Sequence, residues 1–382
     1  MKKKILICLY YYDPYVSGLT IYASSLAKWL VKSWYEVTVF CAQHDKNLPL
    51  QEEIDWVNII RHKVLANFWK WVIMPTFWLK AIFLAMKHDI VNLHFPNADL
   101  GLSWLFIPKN KLYITYHCDI NLWKWFVNKT IEKISFFLMW LSMFKAKNII
   151  WNSKNYFLNS HFKKYKNKFV WIYPPIDFKT LDEWVNSVWI EKNDEVYKIG
   201  FLWRIVYEKW INFLLKAIDS KHLRNINFHL YLWWDFQNVR WWSVKADLEK
   251  LVNLNKDKIT FLWNIDKSYL KDFYSSIDVL VLPSIDPLES FWMVQVESLF
   301  CNTPLIASDM PWVNEVINKT WFWLLAKPKS SQDISEKLFE MYKDLPKYKT
   351  LAKDDVLKNT ALKTFAFDNT INDYINLYFN KN

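Results

Sequence analysis

The chain alternates short, continuous apolar runs with longer segments of helical spacing, and this order restricts the folds open to it. Runs such as Ile5-Leu6-Ile7 lack the polar alternation of half-exposed strands, which is typical of strands buried on both faces. Between the first two runs, Ile21, Leu26 and Leu30 recur at helical spacing. Strands that alternate with helices in this way form parallel sheets with crossover helices. The sequence therefore predicts an α/β fold.

Two prolines divide this pattern into halves. Pro174 and Pro175 can continue neither a helix nor a strand, so we place a domain boundary after residue 177. We expect two Rossmann-like, doubly wound parallel-sheet domains, 1–177 and 178–365, facing a cleft where ligands bind at the strands' carboxyl ends. A helix over 366–382 is expected to cross back to the first domain. The predicted strands are Lys4–Leu9, Glu36–Phe40, Val57–Arg61, Ile90–His94, Lys111–Tyr116, Ala146–Ile150 and Phe169–Tyr173, then Tyr197–Leu202, Asn227–Leu232, Lys258–Leu262, Val279–Leu282, Leu305–Ala307 and Phe322–Ala326.

Tryptophan is abundant in this chain and glycine is scarce, with 25 Trp and 3 Gly. A globular chain of this length carries roughly 27 Gly at about 7% usage, close to the 28 that Trp and Gly make together. Trp34 follows a predicted helix end, where a left-handed glycine is expected. We hypothesise that most of these Trp are Gly in the native protein, because some bacterial lineages read UGA as glycine. A chain rich in Trp by nature is the alternative.

Charge and apolar segments indicate where the protein acts. Residues 1–177 contain 23 Lys and Arg against 11 Asp and Glu, whereas residues 178–382 contain 26 against 27. A membrane surface or a lipid phosphate would explain the basic half, and solvated lysines explain it equally well. The four Cys lack metal-ligand spacing, which fits a reducing cytoplasm. Lys and Pro interrupt the apolar stretch Phe68–Met86, so we expect a cytoplasmic protein, with peripheral contact to the inner face of the cell membrane as an option.

One segment of the second half carries a distinctive pair of carboxylates. It follows the apolar run Val279–Leu282 and reads Pro-Ser-Ile-Asp-Pro-Leu-Glu-Ser-Phe-Trp-Met-Val-Gln-Val-Glu over residues 283–297. On a helix, Glu289 and Glu297 would be separated by about 12 Å, so they could reach different parts of one extended ligand. The free N–H groups of residues 291–294 would meet an anion at the helix N-terminus, provided that residue 292 is small.

This segment, together with Cys301-Asn302-Thr303-Pro304 and the residues up to Pro311, resembles the donor-binding segment of glycosyltransferase family 4, whose members have the GT-B fold. With glycine at 203 and 210, residues 201–210 are similar to the Gly-Arg…Lys-Gly segment of that family. The hinge at 173–177, the turn at 233–235 and the N-terminal segment 14–30 are similar as well. The resemblance covers nearly the whole chain and is most specific in the second half.

The resemblance implies a role for each matching residue. Arg204 and Lys209 would hold the donor diphosphate and stabilise charge on the leaving phosphate, a solvated basic turn being the alternative. Glu289 would bind hydroxyls of the transferred sugar. Glu297 would bind the ribose hydroxyls, unless it is a buried helix-capping residue. The other implied donor-binding residues are Gly18, Ser290, Phe291, Trp292, Met293 and Val294.

Two histidines and the Ser17-Gly18 pair complete the implied site. His117 ends a strand and matches the family's active-site histidine, where it would donate to the sugar or to the phosphate leaving group. A core histidine is the alternative. His94 ends the preceding strand, and we treat it as structural. Ser17-Gly18 corresponds to the family's Gly-Gly loop beside the donor phosphates and the acceptor, and Ser at 17 is tolerable if its φ is negative.

The function implied by the resemblance is retaining transfer of a hexose from a UDP- or GDP-linked sugar to an acceptor hydroxyl, without a metal or any further cofactor. We expect a sugar or lipid-linked acceptor, a role in cell-envelope glycan or glycolipid synthesis, and no nucleic-acid partner. Another GT-B enzyme such as a nucleotide-sugar epimerase, or a non-catalytic nucleotide-sugar-binding module, is the alternative. A dinucleotide oxidoreductase is disfavoured, because glycine at every Trp yields no Gly-x-Gly-x-x-Gly after the first strand.

Overall fold

The chain divides into two compact units. The computed structural model describes residues 2–68, 71–120, 126–176, 190, 193–202, 211–234, 251–263, 267–285, 293–311, 313–320 and 323–379. The N-terminal unit comprises Met1–Pro175 and Asp368–Asn382, and the C-terminal unit comprises Ile176–Phe367. The predicted boundary residue, Asp177, lies outside the described residues.

The N-terminal unit is built on an eight-stranded sheet with the order β10-β9-β8-β7-β1-β2-β4-β3. All of its pairings are parallel except that of β3 with β4. In the central strand, Ile5, Leu6 and Ile7 are 0% exposed, which confirms that this continuous apolar run is covered on both faces. Its strands are β1 (Lys4–Cys8), β2 (Glu36–Gln43), β3 (Gln51–Ile54), β4 (Val57–Lys63), β7 (Ile90–Phe95), β8 (Leu112–Tyr116), β9 (Asn148–Trp151) and β10 (Phe169–Trp171), and β5 (Ala66–Phe68) and β6 (Trp71–Ile73) form a separate antiparallel pair.

In the described part of the N-terminal unit, four α-helices lie between these strands in the sequence. They are α1 (Gly18–Lys32), α2 (Phe77–Ala85), α3 (Phe126–Lys145) and α4 (Lys154–Asn159), and a 3-10 helix, Asp99–Leu105, packs against both α2 and α3. Helix α1 begins at a capping box, in which Ser17 Oγ accepts from the N–H of Thr20 and the Thr20 hydroxyl oxygen accepts from the N–H of Ser17. This cap satisfies two donors that the first helical turn would otherwise leave unpaired. No helix in the described part of the chain is both long enough and apolar enough to cross a membrane.

The C-terminal unit is built on a six-stranded parallel sheet with the order β13-β12-β11-β14-β15-β16. Its core packs residues such as Ile199, Leu230 and Val281 against Leu214 and Leu338 of the covering helices. The strands are β11 (Tyr197–Leu202), β12 (Phe228–Trp234), β13 (Ile259–Trp263), β14 (Val279–Leu282), β15 (Leu305–Ser308) and β16 (Leu324–Ala326). The helices are α5 (Ile211–Ile218), α6 (Leu270–Ser276), α7 (Met293–Phe300), α8 (Glu315–Thr320), α9 (Ser331–Lys343), α10 (Leu345–Ala352) and α11 (Asp355–Phe365).

The last helix, α12 (Phe367–Phe379), leaves the C-terminal unit and packs on the N-terminal sheet through hydroxyl groups. Asn92 Nδ2 donates to Tyr378 Oη over 2.6 Å, and the hydroxyls of Thr115 and Tyr374 are 3.3 Å apart. Tyr374 also hydrogen-bonds the Tyr22 hydroxyl. These side chains are all buried. A satisfied polar network of this kind in a low-dielectric interior fixes one docking position for the helix.

Two exposed tryptophans adopt the left-handed backbone conformation. Trp34, with φ of 70°, follows α1 in a Schellman arrangement, in which its N–H donates to Val31 O and the N–H of Tyr35 donates to Leu30 O. Asp55 and Trp56, with φ of 51° and 64°, form the two-residue turn that joins β3 to β4. Both motifs favour glycine at the tryptophan position, since glycine alone adopts positive φ without steric cost.

We expect Trp34→Gly and Trp56→Gly each to raise the free energy of unfolding by about 1 kcal/mol, because a side chain in the left-handed region costs roughly 1–2 kcal/mol. Denaturant unfolding followed by far-UV circular dichroism measures the change. Trp29→Gly, within α1, is the matched control and should lower the free energy of unfolding by about 1 kcal/mol. A loss of stability in all three variants would contradict the backbone argument.

Candidate active site

The strand order of the C-terminal unit reverses between β11 and β14. From β11 the chain proceeds to β12 on one side, whereas from β14 it proceeds to β15 on the other. The two strands pair in parallel, with Ile199 opposite Val279 and Gly200 opposite Leu280, so their carboxyl ends are neighbours. Open α/β sheets bind ligands at the carboxyl ends of the strands at such a switch point. The residues predicted to follow these two strands, namely Arg204, Lys209, Glu289, Ser290, Phe291 and Trp292, lie outside the described residues.

Glu297, the second carboxylate of the predicted pair, lies on α7 and is held by a tyrosine. The hydroxyl of Tyr274, on α6, donates to Glu297 Oε2 over 2.8 Å. Burial, and then the charge of Glu297, raise the pKa of Tyr274 well above its usual value, so the hydroxyl keeps its proton and donates it. A hydrogen bond to an ionised acceptor is stronger than a neutral one. Glu297 itself is half-buried and lies within α7.

Two further residues of the predicted donor segment lie at the start of α7. Met293 is half-buried, and the side chain of Val294 is 9% exposed. The same helix is anchored by Gln295, whose Nε2 donates to Val313 O over 2.8 Å. Tyr274 and Gln295 were not among the predicted site residues, because Tyr274 lies outside the motif and the contacts of both residues join segments that are distant in sequence.

His117 lies at the carboxyl end of β8, where its backbone N–H donates to Phe95 O over 2.9 Å. Its Nε2 is 3.0 Å from Nδ1 of His94, on the neighbouring strand β7. Its Nδ1 is 3.3 Å from Nδ2 of Asn152, which follows β9. The ring of Tyr22 packs edge-on against both imidazoles. The structure therefore joins His94, which the sequence analysis treated as structural, directly to the predicted active-site histidine.

Both imidazoles are neutral near pH 7. Burial lowers the pKa of His117 to about 3, and burial together with His117 lowers the pKa of His94 well below its usual value. A neutral imidazole offers one N–H donor and one acceptor. His117 can accordingly hydrogen-bond a ligand, but it carries no positive charge with which to balance a phosphate.

Gly18, the first residue of α1, has open space around it. A Cβ built at this position would meet no atom within 4 Å, and none of the three glycines has a positive φ. The preceding Ser17 has φ of −155°, which is the negative value that the sequence analysis required. The fold of the N-terminal unit therefore does not itself demand glycine at 18.

The chain is similar to known glycosyltransferases over nearly its whole length. Residues 16–179 match the family described as Glycosyltransferase Family 4, and residues 183–355 match the family described as Glycosyl transferases group 1. The chain is 25% identical over 403 residues to the uncharacterized glycosyltransferase MJ1607 of Methanocaldococcus jannaschii, across 98% of this chain and 97% of that protein.

Solved structures of GT-B enzymes have the same fold. Sucrose-phosphate synthase (tll1590) from Thermosynechococcus elongatus superimposes with a TM-score of 0.76 at 19% identity, covering 99% of this chain and 98% of that one. Anabaena Alr3699/HepE in complex with UDP-glucose superimposes with a TM-score of 0.70 at 14% identity, covering 98% of each chain. Two doubly wound units, a switch point and these similarities define a two-domain α/β transferase. The chain belongs to the glycosyltransferases of the GT-B fold.

We expect acid to destabilise the N-terminal unit through its buried histidines. Burial lowers the pKa of His88, His94 and His117 in the folded state, so the unfolded state binds more protons as the pH falls below about 6.5. The stabilisation is complete above that value and is lost as the pH falls towards the folded-state pKa. Each imidazole contributes up to about 1.4 kcal/mol per pH unit. The free energy of unfolding of wild type and of His117→Asn, measured between pH 7 and 5, tests this expectation. The free energy should fall less steeply with pH in His117→Asn, and an equal dependence on pH in both proteins would contradict it.

Proposed function

We propose that this chain transfers a hexose from a nucleoside diphosphate sugar, UDP- or GDP-linked, to an acceptor hydroxyl with retention of anomeric configuration. The observation that carries the proposal is the adjacency of β11 and β14 at the switch point, with Glu297 oriented by Tyr274 on the helix that follows β14. A protein of the same fold, Anabaena Alr3699/HepE, has been solved with UDP-glucose, which supports a donor of this class.

The proposed donor site combines a carboxylate for the nucleoside with cations for the diphosphate. Glu297 would accept hydrogen bonds from the ribose hydroxyls, and Glu289 from hydroxyls of the transferred sugar. Arg204 and Lys209, which follow β11 in sequence, would neutralise the leaving phosphate. Cations at that position stabilise the transition state more than the ground state, because negative charge grows there as the bond breaks. They would replace a divalent metal in this role.

Retention would follow from attack on the side from which the phosphate departs. The acceptor hydroxyl approaches the anomeric carbon on that side, forms the new C–O bond as the old one breaks, and passes its proton to the leaving phosphate oxygen. No protein base takes part in this step, which agrees with the lowering of the His117 pKa to about 3, because so weak a base has little tendency to take the proton of the acceptor hydroxyl.

We also propose that Trp34 and Trp56 stand where the natural protein has glycine, as at residues 203, 210 and 292. Trp34 and Trp56 both adopt positive φ in motifs that favour glycine. At 203, 210 and 292 an indole would fill space that the proposed phosphate site needs. Donor binding by this chain therefore requires glycine at those three positions.

An exposed apolar surface of the N-terminal unit is the proposed contact with a membrane that holds a lipid-linked acceptor. It crosses α2, the 3-10 helix Asp99–Leu105 and α3, which pack side by side. Lysines lie beside its aromatic rings, with Lys87 Nζ 4.6 Å from the Phe83 ring centre and Lys168 Nζ 5.4 Å from that of Phe144. Apolar side chains rimmed by lysines fit an anionic bilayer. The exposed apolar residues are Leu79, Phe83, Met86, Leu105, Phe106, Ile134, Phe137 and Phe144.

In the chain with glycine at 203, 210 and 292, we expect a UDP- or GDP-sugar to raise the melting temperature and to be turned over with release of the nucleoside diphosphate in the presence of EDTA. Screening UDP-, GDP- and ADP-sugars by thermal shift and product assay measures both. Glu297→Gln should weaken donor binding about 10- to 100-fold, since a hydrogen bond to a charged group contributes about 1.5–3 kcal/mol. Tyr274→Phe should weaken it less.

Glu340 is half-buried and ion-paired with Lys337 on α9, and it supplies the matched control. Glu340→Gln should bind donor as the parent does. Equal binding by Glu297→Gln and the parent would refute the assigned donor site, and product formation without an acceptor would identify an epimerase or a hydrolase instead.

We expect Phe137→Ser with Phe144→Ser to weaken sedimentation with phosphatidylglycerol-containing vesicles at least about tenfold, because each buried Phe contributes roughly 1.5–3 kcal/mol. Val356→Ser, at an exposed position of the C-terminal unit, is the matched control and should sediment like wild type. Binding should also weaken as salt increases. Equal binding to neutral phosphatidylcholine vesicles, or equal losses in both variants, would refute the proposed membrane surface.

A further inference from the structure

Three neighbouring strands of the N-terminal unit each contribute one side chain to a hydrogen-bonded row. His94 near the end of β7, His117 after β8 and Asn152 after β9 are 1%, 7% and 3% exposed. The row runs from His94 Nδ1 to His117 Nε2 and from His117 Nδ1 to Asn152 Nδ2. Both ring nitrogens of His117 thus have a defined protein partner.

The position of the protons follows from Asn152. Its amide nitrogen can only donate, so His117 Nδ1 is the acceptor of that bond. A neutral imidazole then carries its proton on Nε2, and His117 donates this proton to His94 Nδ1. His94 must in turn carry its own proton on Nε2. Hydrogen bonds in this row are therefore donated in one direction, from Asn152 to His117 and from His117 to His94.

His94 leaves a polar atom unpaired at this place. His94 Nε2 and Asn152 Oδ1 are buried and have no hydrogen-bond partner among the residues that the structure describes. A buried polar group without a partner costs about 1–3 kcal/mol, and a leucine at 94 would avoid that cost. A histidine used only to fill the core is therefore a poor explanation. Its other nitrogen, Nδ1, makes the one contact that leucine could not make.

Tyr22 restricts rotation of both rings. Its ring centre lies 5.0 Å from that of His117 and 5.9 Å from that of His94, edge-on in both cases. Its hydroxyl is held by Tyr374 on α12. The two imidazoles are therefore confined from the side of α1 as well as by their neighbours in the sheet.

We propose that His94 is a positioning residue, whose Nδ1 accepts the Nε2–H of His117 and so keeps His117 Nδ1 unprotonated as an acceptor for a hydroxyl group of the sugar substrate. The inference rests on the proposed function for the presence of that substrate. The 3.3 Å contact from Asn152 is long for a hydrogen bond, so a hydroxyl can replace it. His117 accordingly accepts from the sugar, rather than donating to the sugar or to the phosphate leaving group as the family resemblance had implied.

The test reads the tautomer directly in full-length protein with 15N-labelled histidine, carrying glycine at 203, 210 and 292. NMR should show His117 protonated on Nε2 and unprotonated on Nδ1. His94→Gln should keep this tautomer, because the Gln side-chain carbonyl also accepts a hydrogen bond from the His117 Nε2–H, and it should keep kcat within about threefold. His94→Leu removes the acceptor of the His117 Nε2–H, and the 3.3 Å contact from Asn152 is too long to fix the proton by itself. This variant should therefore mix the tautomers and lower kcat on the order of 10- to 100-fold with an unchanged donor KM, since the group stays present but misplaced.

His88→Leu is the matched control. His88 is a buried histidine of the same unit, 7% exposed, and its ring bonds Thr38 and Leu84 O, away from the row. This variant should leave the His117 tautomer unchanged and keep kcat within about threefold. Protonation of His117 on Nδ1 in the wild type, or an unchanged tautomer in His94→Leu, would overturn the inference. Failure of every nucleotide sugar as a donor would refute the proposed function, while the NMR result would still decide the pairing of His94 with His117.

Discussion

Burial of the parallel strands on both faces determines where chemistry can occur in this protein. Apart from Lys4 at the start of β1, the side chains of β1, β8 and β14 are buried along the strands, so polar groups for a ligand have to come from the strand ends. In the N-terminal unit these are His94, His117 and Asn152. In the C-terminal unit the corresponding edge is at Leu202 and Leu282, where β11 and β14 end side by side. In both sheets, a ligand can therefore be bound only at the carboxyl ends of the strands.

Burial also fixes the protonation states of the polar groups near these edges, and so determines which of them donate hydrogen bonds and which accept them. Tyr274 keeps its proton because a buried phenolate beside Glu297 would be unfavourable, and it therefore remains a donor. His117 stays neutral for the corresponding reason. Burial also explains the role of α12, since hydroxyls of Tyr374 and Tyr378 can satisfy Thr115 and Asn92 only when the helix is docked. Orientation of the histidine row and docking of the last helix are therefore physically connected through Tyr22.

Most of the fold could be predicted from the sequence, because an apolar run between helical segments has few alternatives. Every predicted strand occurs, with its ends shifted by at most three residues. Strand β3 was missed, since its Gln-Glu-Glu-Ile sequence is polar and it lies at the sheet edge, where pairing needs no apolar side chains. The site was less predictable. The contact of His94 with His117 depends on the pairing of two strands, and local sequence does not reveal it. The hydrogen bond from Tyr274 to Glu297 likewise joins two different helices.

The backbone conformation at residues 34 and 56 favours glycine over the tryptophan that stands at each position. The conformation at 34 is imposed by the end of α1 and the start of β2, and that at 56 by a two-residue turn between paired strands. Asp55 tolerates its positive φ because a short polar side chain can bond nearby backbone, whereas an indole has no such compensation. Both tryptophans are more than three-quarters exposed, so packing does not repay the strain. Two largely exposed tryptophans at backbone positions that favour glycine are the observation on which our proposal of glycine at 34 and 56 rests.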